Sequence, residues 1–521
     1  MMVRSFRADL ETICSQDAQR RAFIDPKSGR VWTYSALLDV VVGFSSVLWN
    51  AGVRSGDRVL SLLPNSMEQM VAFLAALWSG VDFCPVSPLS TSEEARRFTQ
   101  ICRGTVALVP DKISANLSRD LSNATKKKLL IPIAVDGDLT RYMVKVPAGL
   151  PDSINQSGKL LLFTSGTTSS PKAMVLDGDR LWSSAKAWVG FHSFLGEETR
   201  FYNNLPMSYL GGLFNLGLIP LACHGSVVVS DAFSGVTALK FWREAECNGV
   251  NTLWLAPTIL RSLVSLYKRR RKVGDANTRV RAAFIGMAPI GLAEKHHFEE
   301  NFDIPLLENF ALSETTFLTS EELNSCLKRC PGSVGKVLPW VTLRFSPVEG
   351  EASQSEILVK TPFLFDGYLN ADGEIALPLT SDGFFRTGDL GEFNEEGSLI
   401  LKGRCKDVIK KGGYLVSLRD LEEVAEAHPF VSEAAAIGVP HEFYGESPVL
   451  CIQLVERASS SREALADLKL LLMNTLAKFK WPDEIIAMES LPKTETGKVQ
   501  KRVLKTWIDS RRGLKDSVRL Q

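Results

Sequence analysis

The sequence predicts an α/β fold followed by a smaller α+β unit. Residues 30–110 alternate short apolar runs with helical patterns, which is typical of parallel βαβ units. From residue 366 to residue 403 the pattern changes to short strands separated by D-G and N-E-E-G turns, which indicates β-hairpins. A new series of helices and strands follows. We therefore predict two domains, 1–403 and 404–521, in a chain whose 521 residues suffice for several folding units.

Short apolar runs predict the strands, at 31–34, 59–63, 83–86, 129–135, 160–163, 173–176, 227–229, 252–255, 282–285, 433–439, 448–455 and 485–488. Apolar residues at helical spacing predict helices at 35–50, 66–78, 179–194, 418–427 and 461–479. A further helix begins near Thr258. Gly52 and Gly80 end the first two helices, because glycine favours the turns that follow a helix.

Composition and charge fit an ordinary globular protein, with 45% hydrophobic and 23% charged residues. A formal net charge of +1 gives no indication of nucleic-acid binding. Nine cysteines, an odd number, favour reduced thiols and a cytoplasmic location over a disulfide framework. Cys326 and Cys330 have no second pair with which to bind zinc, and the histidines show no metal-ligand spacing. We expect no signal peptide and no membrane span, because no apolar run approaches about 20 residues.

The stretch 160–174 reads LLLFTSGTTSSPKAM and holds the strongest single motif. An apolar run is followed by hydroxyl residues and a glycine, which can offer N–H and O–H donors to an anion. Lys172 adds a compact positive charge suited to phosphate. The spacing is not that of a Walker loop. A nucleotide-phosphate loop and a solvated turn between two strands both fit this stretch alone.

Other stretches are weaker when each is taken alone. Phe310 could belong to the core, Glu314 could be a surface carboxylate, and Lys498 could be a mobile surface lysine. Residues 268–272 read KRRRK, which fits the charged end of a helix. The same cluster could instead receive an acidic carrier protein or the phosphates of coenzyme A.

The order of the motifs is more informative than any one of them. Segments 164–173, 308–314, 386–390, 403–413 and 492–498 resemble, in sequence, the core motifs of the adenylate-forming superfamily. This superfamily contains acyl- and aryl-CoA synthetases, adenylation domains of peptide synthetases, and firefly luciferase. The resemblance extends from about residue 10 to residue 502. It implies a large N-terminal domain of mixed sheets and packed helices, with a small mobile C-terminal α+β domain.

The resemblance also implies a reaction in two halves. A carboxylate attacks the α-phosphorus of ATP and gives an acyl-adenylate and pyrophosphate, with Mg²⁺ as the metal. A thiol then displaces AMP, and that thiol belongs either to coenzyme A or to the phosphopantetheine of an acyl or peptidyl carrier protein. The implied partners are therefore a small carboxylic acid and one of these two acceptors.

Residue roles follow from the same resemblance. The implied ATP-binding residues are Thr164, Ser165, Gly166, Thr167, Thr168 and Lys172 at the β- and γ-phosphates, Phe310 at the adenine, Ser313 at the α-phosphate, Asp389 and Arg404 at the ribose, and Asn309, for which no finer role is implied. Glu314 would bind Mg²⁺, which prefers oxygen ligands. Lys498 would bridge the acid and the α-phosphate. Lys406 would be the hinge, and the implied thiol-tunnel residues are Lys410, Gly412 and Gly413.

Some positions depart from the usual motifs. Ser169 and Ala173 replace common glycines in the phosphate loop, Tyr209 stands where many CoA synthetases have histidine, and Leu418 stands where proline is common. Ala311 likewise replaces a glycine. None of these changes removes a charged catalytic group, so we expect an active enzyme rather than a non-catalytic nucleotide-binding homologue. Nothing in the sequence favours luciferase-like oxidation.

The acid pocket implied by the resemblance is apolar. Its residues are Tyr209, Gly212, Gly286, Met287, Ala288 and Ala311. Segment 209–214 has no carboxylate to pair with an ammonium group, which argues against an α-amino acid. Met287 and Ala311 are larger than the residues usual there and would shorten the pocket. We expect a small to medium apolar acid, either aliphatic or aryl.

Overall fold

A computed structural model describes residues 4–143, 156–164, 172–269, 279–288, 290–323, 329–348, 351–370, 372–411, 414–441, 444–455, 461–476, 478–494 and 497–519. The helices are α1 (Phe6–Gln16), α2 (Tyr34–Asn50), α3 (Met67–Trp78), α4 (Ser92–Cys102), α5 (Ala115–Ala124), α6 (Gly178–Phe191), α7 (Ile219–Ala222), α8 (Gly235–Cys247), α9 (Pro257–Arg269), α10 (Leu292–Phe302), α11 (Leu418–Glu426), α12 (Ser461–Thr475) and α13 (Lys501–Arg519).

The strands are β1 (Arg21–Ile24), β2 (Val31–Thr33), β3 (Arg58–Ser61), β4 (Asp82–Pro85), β5 (Val106–Pro110), β6 (Leu130–Ile133), β7 (Lys159–Thr164), β8 (Lys172–Asp177), β9 (Arg200–Asn203), β10 (Ser226–Val229), β11 (Thr252–Leu255), β12 (Ala282–Ile285), β13 (Leu306–Leu312), β14 (Thr316–Ser320), β15 (Lys336–Val337), β16 (Thr342–Val348), β17 (Glu351–Lys360), β18 (Gly367–Leu369), β19 (Ile375–Ala376), β20 (Phe385–Phe393), β21 (Leu399–Arg404), β22 (Val408–Lys411), β23 (Tyr414–Ser417), β24 (Val431–His441), β25 (Gly445–Leu454) and β26 (Glu484–Met488).

Two large mixed sheets make up most of the N-terminal part. Over the described residues their orders are β15-β14-β13-β12-β11-β9-β10-β1-β2 and β19-β18-β8-β7-β4-β3-β5-β6. Strand β3 runs parallel to β4 and β5, and β11 runs parallel to β9 and β12. The predicted βαβ units are therefore confirmed. All twelve residues of α3 are buried, as expected for a helix that is covered on every side.

Two departures from parallel order shape the site. Strands β7 and β8 form an antiparallel hairpin in which Thr164 pairs with Lys172, so the hydroxyl-rich loop connects these two strands. Strands β13 and β14 form a second hairpin, whose turn contains Glu314. Both loops are thus held by regular strands at their two ends.

A different sheet begins after Arg404. The four-stranded sheet β16-β17-β20-β21 ends there, and a short 3-10 turn (Cys405–Asp407) leads into β22 of the last sheet. In that sheet β24 and β25 are antiparallel, and β26 runs parallel to β25. The 403/404 domain boundary stays a prediction, and this change of sheet agrees with it.

The structure corrects several predicted elements. The helix predicted over 461–479 ends at Thr475, and a separate 3-10 turn (Lys478–Lys480) follows it. Helix α1 and strand β1 were not predicted. Segment Gly211–Leu218 forms a π-helix, which the sequence did not indicate; the side-chain amide of Asn203 donates to the carbonyl oxygens of Gly212 and Leu216 in this segment. No described helix is long and apolar enough to cross a membrane.

Candidate active site

A buried carboxylate and an arginine lie side by side on neighbouring strands. Asp389 of β20 pairs in register with Arg404 of β21, and Arg404 Nε donates to Asp389 Oδ1 at 2.9 Å. Burial raises the pKa of Asp389, while the charge and hydrogen bond of Arg404 oppose that rise. Oδ2 of Asp389 is buried and has no hydrogen-bond partner among the described residues. A buried acceptor of this kind is suited to a hydroxyl donor, such as those of a ribose.

Glu314 is held by two contacts with the segment before and within β18. Its carbonyl oxygen accepts from the backbone N–H of Phe365 at 2.7 Å. The hydroxyl of Tyr368 donates to Glu314 Oε1 at 2.7 Å. Burial and the negative charge of Glu314 raise the pKa of Tyr368, so the phenol stays protonated and remains a donor. A half-buried carboxylate held in this way can offer its other oxygen to a hard cation such as Mg²⁺.

Tyr368 also connects Glu314 with the end of the phosphate loop. It pairs with Met174 of β8, and Lys172 Nζ lies 5.4 Å from the centre of its ring. Lys172 is exposed, so its ammonium can reach a bound anion. The sequence does not indicate a role for Tyr368, because its partners, Glu314 and β8, are distant in the chain.

Lys498 reaches the same region from the C-terminal part of the chain. The pKa of Lys498 is lowered mainly by burial in the surrounding protein and, to a smaller extent, by the positive charge of Arg404. The negative charges of Asp389 and Glu314 oppose that change. The residue still has solvent-exposed surface. Both observations fit an ammonium group that is surrounded by protein but still open to solvent. The structure thus brings Lys498 and Glu314, which are far apart in the sequence, close to the Asp389–Arg404 pair.

The predicted adenine and acid segments meet at the ends of β12 and β13. Ile285 is in register with Glu308, and Asn309 Nδ2 donates to the carbonyl oxygen of Ile285 at 2.8 Å. A Cβ atom on Gly286 would lie 2.7 Å from Asn309 Oδ1, so only glycine fits there. Phe310 is 7% exposed and belongs to the core. Its role against adenine stays a prediction, as does the role of the half-buried Ser313.

The predicted acid pocket lies between this edge and the π-helix. A Cβ atom on Gly212 would lie 2.5 Å from the carbonyl oxygen of Pro206, and one on Gly211 would lie 3.4 Å from Met287 Cε. Met287 therefore packs against the start of the π-helix. It has a φ of 72°, which is unusual for a residue with a long side chain. Tyr209, Ala288 and Ala311 are half-buried.

Several predicted residues fall outside the described part of the chain. These are Ser165, Gly166, Thr167, Thr168 and Ser169 of the phosphate loop, and Gly412 and Gly413 of the thiol tunnel. For Thr164, Lys406 and Lys410 the structure describes the backbone, in β7, in the 3-10 turn and in β22. The side chains of the basic run 268–272 also lie outside the described part.

A buried carboxylate with an unpartnered oxygen, a second carboxylate held by a phenol and a lysine near both are the kinds of groups that an enzyme activating acids as adenylates requires. The chain belongs to the AMP-binding enzyme family. The model of that family matches residues 10–369, and the model of the AMP-binding enzyme C-terminal domain matches residues 420–498. The superfamily prediction is confirmed, and the protein is an ATP-dependent, AMP-forming acid–thiol ligase, as predicted.

Named relatives and solved structures agree with this class. An oxalate–CoA ligase of Arabidopsis thaliana is 28% identical over 95% of this chain and 97% of the relative. A sulfoacetate–CoA ligase of Cupriavidus necator is 29% identical over 92% of this chain and 93% of the relative. The structure of ATP-bound MatB from Rhodopseudomonas palustris superposes with a TM-score of 0.86 at 25% identity, covering 97% of this chain and 99% of MatB. The predicted cofactors, ATP, Mg²⁺ and coenzyme A, agree with the family and with these names.

Proposed function

We propose that this protein joins a small to medium apolar carboxylic acid, aliphatic or aryl, to coenzyme A. The acid is first activated by ATP to an acyl-adenylate with release of pyrophosphate, and coenzyme A then displaces AMP. The observation that carries the proposal is the convergence of Lys498 with Asp389, Arg404 and Glu314. A non-catalytic nucleotide-binding protein would not require a lysine at this position.

Each charged group has a definite task in this proposal. The unpartnered Oδ2 of Asp389 accepts from a ribose hydroxyl, and Arg404 keeps the carboxylate ionised and oriented. Lys498 neutralises charge between the acid carboxylate and the α-phosphate as their bond forms. Glu314 would hold Mg²⁺, which neutralises phosphate charge when it is bound. Lys172, with the hydroxyl-rich loop, would bind the terminal phosphates.

The choice of acid rests on the charge of the predicted pocket. Segments 209–214, 284–288 and 310–312 contain no charged residue. Oxalate and sulfoacetate, which the names of the relatives give, carry a second negative charge. Burying such a charge without a cationic partner costs several kcal/mol, so an acid with one carboxylate and an apolar body fits these segments better. The absence of a carboxylate near Tyr209 likewise argues against an α-amino acid.

A pyrophosphate-release screen tests this proposal. Purified protein is given ATP, Mg²⁺ and one acid at a time, with and without coenzyme A, and the thioester is identified by mass. Butyrate, hexanoate and benzoate represent the expected class, oxalate, malonate and sulfoacetate the charged class, and palmitate the long acids. We expect turnover with the first group that requires coenzyme A. A preference for palmitate or for the charged acids would contradict the proposed substrate class.

A carrier protein remains the second candidate acceptor, because the basic run KRRRK would suit an acidic partner. In that case adenylate would form without acceleration by coenzyme A. Charge reversal at Arg269, Arg270 and Arg271 would raise the KM for the carrier. An unchanged KM would remove the support for this alternative.

We further propose a cytoplasmic location. The described cysteines are all free thiols, and most are buried, which fits a reducing compartment.

We also propose a hinge at Lys406. This residue lies between two anchored neighbours: Arg404 pairs with Asp389 on the N-terminal side, and Asp407 pairs with Lys501 of α13 at 2.8 Å. A rotation between the two parts would therefore occur at residues 405–406. Lys410, Gly412 and Gly413 would then line the route of the thiol.

A further inference from the structure

An ion pair joins the N-terminal part of the chain to its C-terminal part. Arg261 of α9 donates through Nη1 to Glu433 Oε1 of β24 at 2.9 Å. It also donates through Nε to Glu294 Oε1 of α10 at 2.5 Å. One guanidinium thus holds a carboxylate from each side of the interface. The side chain of Glu433 is 6% exposed, so water screens this pair only weakly.

Glu433 connects this pair to the loop that carries Lys498. Its second oxygen, Oε2, lies 2.6 Å from Lys493 Nζ. Lys493 forms a β-bridge with Val499, and these two residues flank Lys498 in the loop. Glu433 therefore lies between α9 and the base of the loop, and its two oxygens contact both.

A second contact holds the same loop against α9. Gly497 has a φ of +79°, and a Cβ atom placed on it would lie 2.1 Å from Thr258 Cγ2. The loop thus approaches the first turn of α9 more closely than any residue with a side chain would allow. Thr258 and Arg261 are three residues apart in the helix, so they share one face. This face of α9 makes both contacts.

We infer that Arg261 is a positioning residue for the first half-reaction: its pair with Glu433 holds the Lys498 loop on α9 and so places the lysine at the reacting groups. The inference rests on the proposed ligase function. Without the guanidinium, Glu294 on one side faces Glu433 and Glu426 on the other, and these carboxylates repel each other across the interface. The second half-reaction, in which Lys498 is not needed, does not require this pair.

The test separates the two half-reactions of the full-length enzyme. In Arg261→Gln we expect ATP–pyrophosphate exchange with the preferred acid to fall about tenfold, in kcat rather than in the KM for ATP. Thioester formation from supplied acyl-adenylate and coenzyme A should be unchanged. Arg261→Lys, which keeps the charge, should restore part of the exchange. Equal loss in both halves, or unchanged exchange, would overturn the inference.

Three further variants test whether the two side chains act through one interaction and control for nonspecific charge effects. Glu433→Gln should reproduce the defect, and the double variant should be no slower than the slower single variant, because both changes remove one interaction. Arg344→Gln removes an exposed ion pair with Asp382, 2.6 Å long and within the N-terminal part, and should leave both half-reactions unchanged. Additive losses in the double variant would mean that the two side chains act independently, and would overturn the inference.

A structural readout keeps the inference testable if no acid is activated. Spin labels on Cys247, an exposed thiol of α8, and on Ser510→Cys of α13 report the distance between the two parts. With bound ATP, we expect a narrow distance distribution in the labelled protein that retains Arg261. The distribution should be broader and shifted to longer distances in the labelled protein that also carries Arg261→Gln. An inactive wild type would count against the proposed function alone. Identical distributions in the two proteins would count against the role of Arg261.

Discussion

The ammonium of Lys498 lies close enough to Arg404, Asp389 and Glu314 for their charges to affect its pKa. In the proposed reaction its own charge is needed only while the adenylate forms. We predict that Lys498→Ala abolishes pyrophosphate exchange, because in the proposed mechanism its ammonium neutralises charge between the acid carboxylate and the α-phosphate. Thiolysis of supplied acyl-adenylate should remain largely intact. The rates of exchange and of thiolysis are measured separately. Equal loss of the two would contradict the proposal that Lys498 serves only the first half-reaction.

The pH dependence of the same step follows from the lowered pKa of Lys498. A lysine whose pKa is lowered loses its proton, and its charge, at a pH below the ordinary value of about 10.4. Exchange should therefore decline on the alkaline side at a lower pH than an exposed lysine would give. The measurement is a pH profile of kcat/KM for ATP in the exchange reaction, which reports the ionising groups of the free enzyme. Thiolysis, which does not need the charge, should not show the same decline.

Tyr368 is the residue whose role the structure adds to the predicted site. We predict that Tyr368→Phe weakens metal binding, because the lost hydrogen bond leaves Glu314 free to rotate. A hydrogen bond to a charged group contributes about 1.5 kcal/mol or more, so the affinity should fall roughly tenfold. Binding of Mn²⁺ with ATP, followed by electron paramagnetic resonance, measures this independently of turnover. An unchanged Mn²⁺ affinity would show that the phenol only packs.

At the level of elements, the junction of β12 with the π-helix would set the depth of the proposed acid pocket. Met287 has a φ of 72°, and its side chain packs at Gly211. We predict that Met287→Gly extends the preferred chain length of the acid, because it removes the side chain that closes the pocket. Glycine also adopts a positive φ with less strain than methionine. This gain should offset part of the stability lost with the packing of the side chain, so we expect only a small fall in the melting temperature. An unchanged order of preference across a series of straight-chain acids would contradict this role.

Elements that depend on local pattern were the easiest to predict. Strands β11 and β12 match their predicted bounds because each is a fully buried apolar run. The π-helix was missed because it depends on Asn203, whose side chain bonds from outside the segment. Helix α1 was missed because its buried residues are interspersed with charged ones, and its packing is decided by distant partners such as Asp179, which accepts from the N–H of Phe6.

For the whole molecule, local pattern could not show that the motifs meet. Asp389 and Arg404 come from one hairpin, whereas Glu314 lies in the turn between β13 and β14 and Lys498 in the loop between β26 and α13. Only the order of the motifs, compared with a known superfamily, predicted that they act together. The Arg261–Glu433 pair was not predicted at all, because it joins residues 172 positions apart that carry no motif of their own.

The proposed hinge at Lys406, between the N-terminal and C-terminal parts of the molecule, can be tested by mutation. We predict that Lys406→Pro impairs thioester formation more than pyrophosphate exchange, because proline fixes φ near −65° and also restricts residue 405. Lys498 lies near Asp389, Arg404 and Glu314 in this structure. In the proposed mechanism the first half-reaction therefore needs no rotation from this state, whereas the second does. Lys406→Ala, which removes the side chain but leaves the backbone free to rotate, is the matched control and should lose much less. If alanine and proline impaired thioester formation equally, the loss of the lysine side chain rather than a blocked rotation would be responsible. If Lys406→Pro impaired exchange more than thioester formation, this conformation would not be the one in which the adenylate forms.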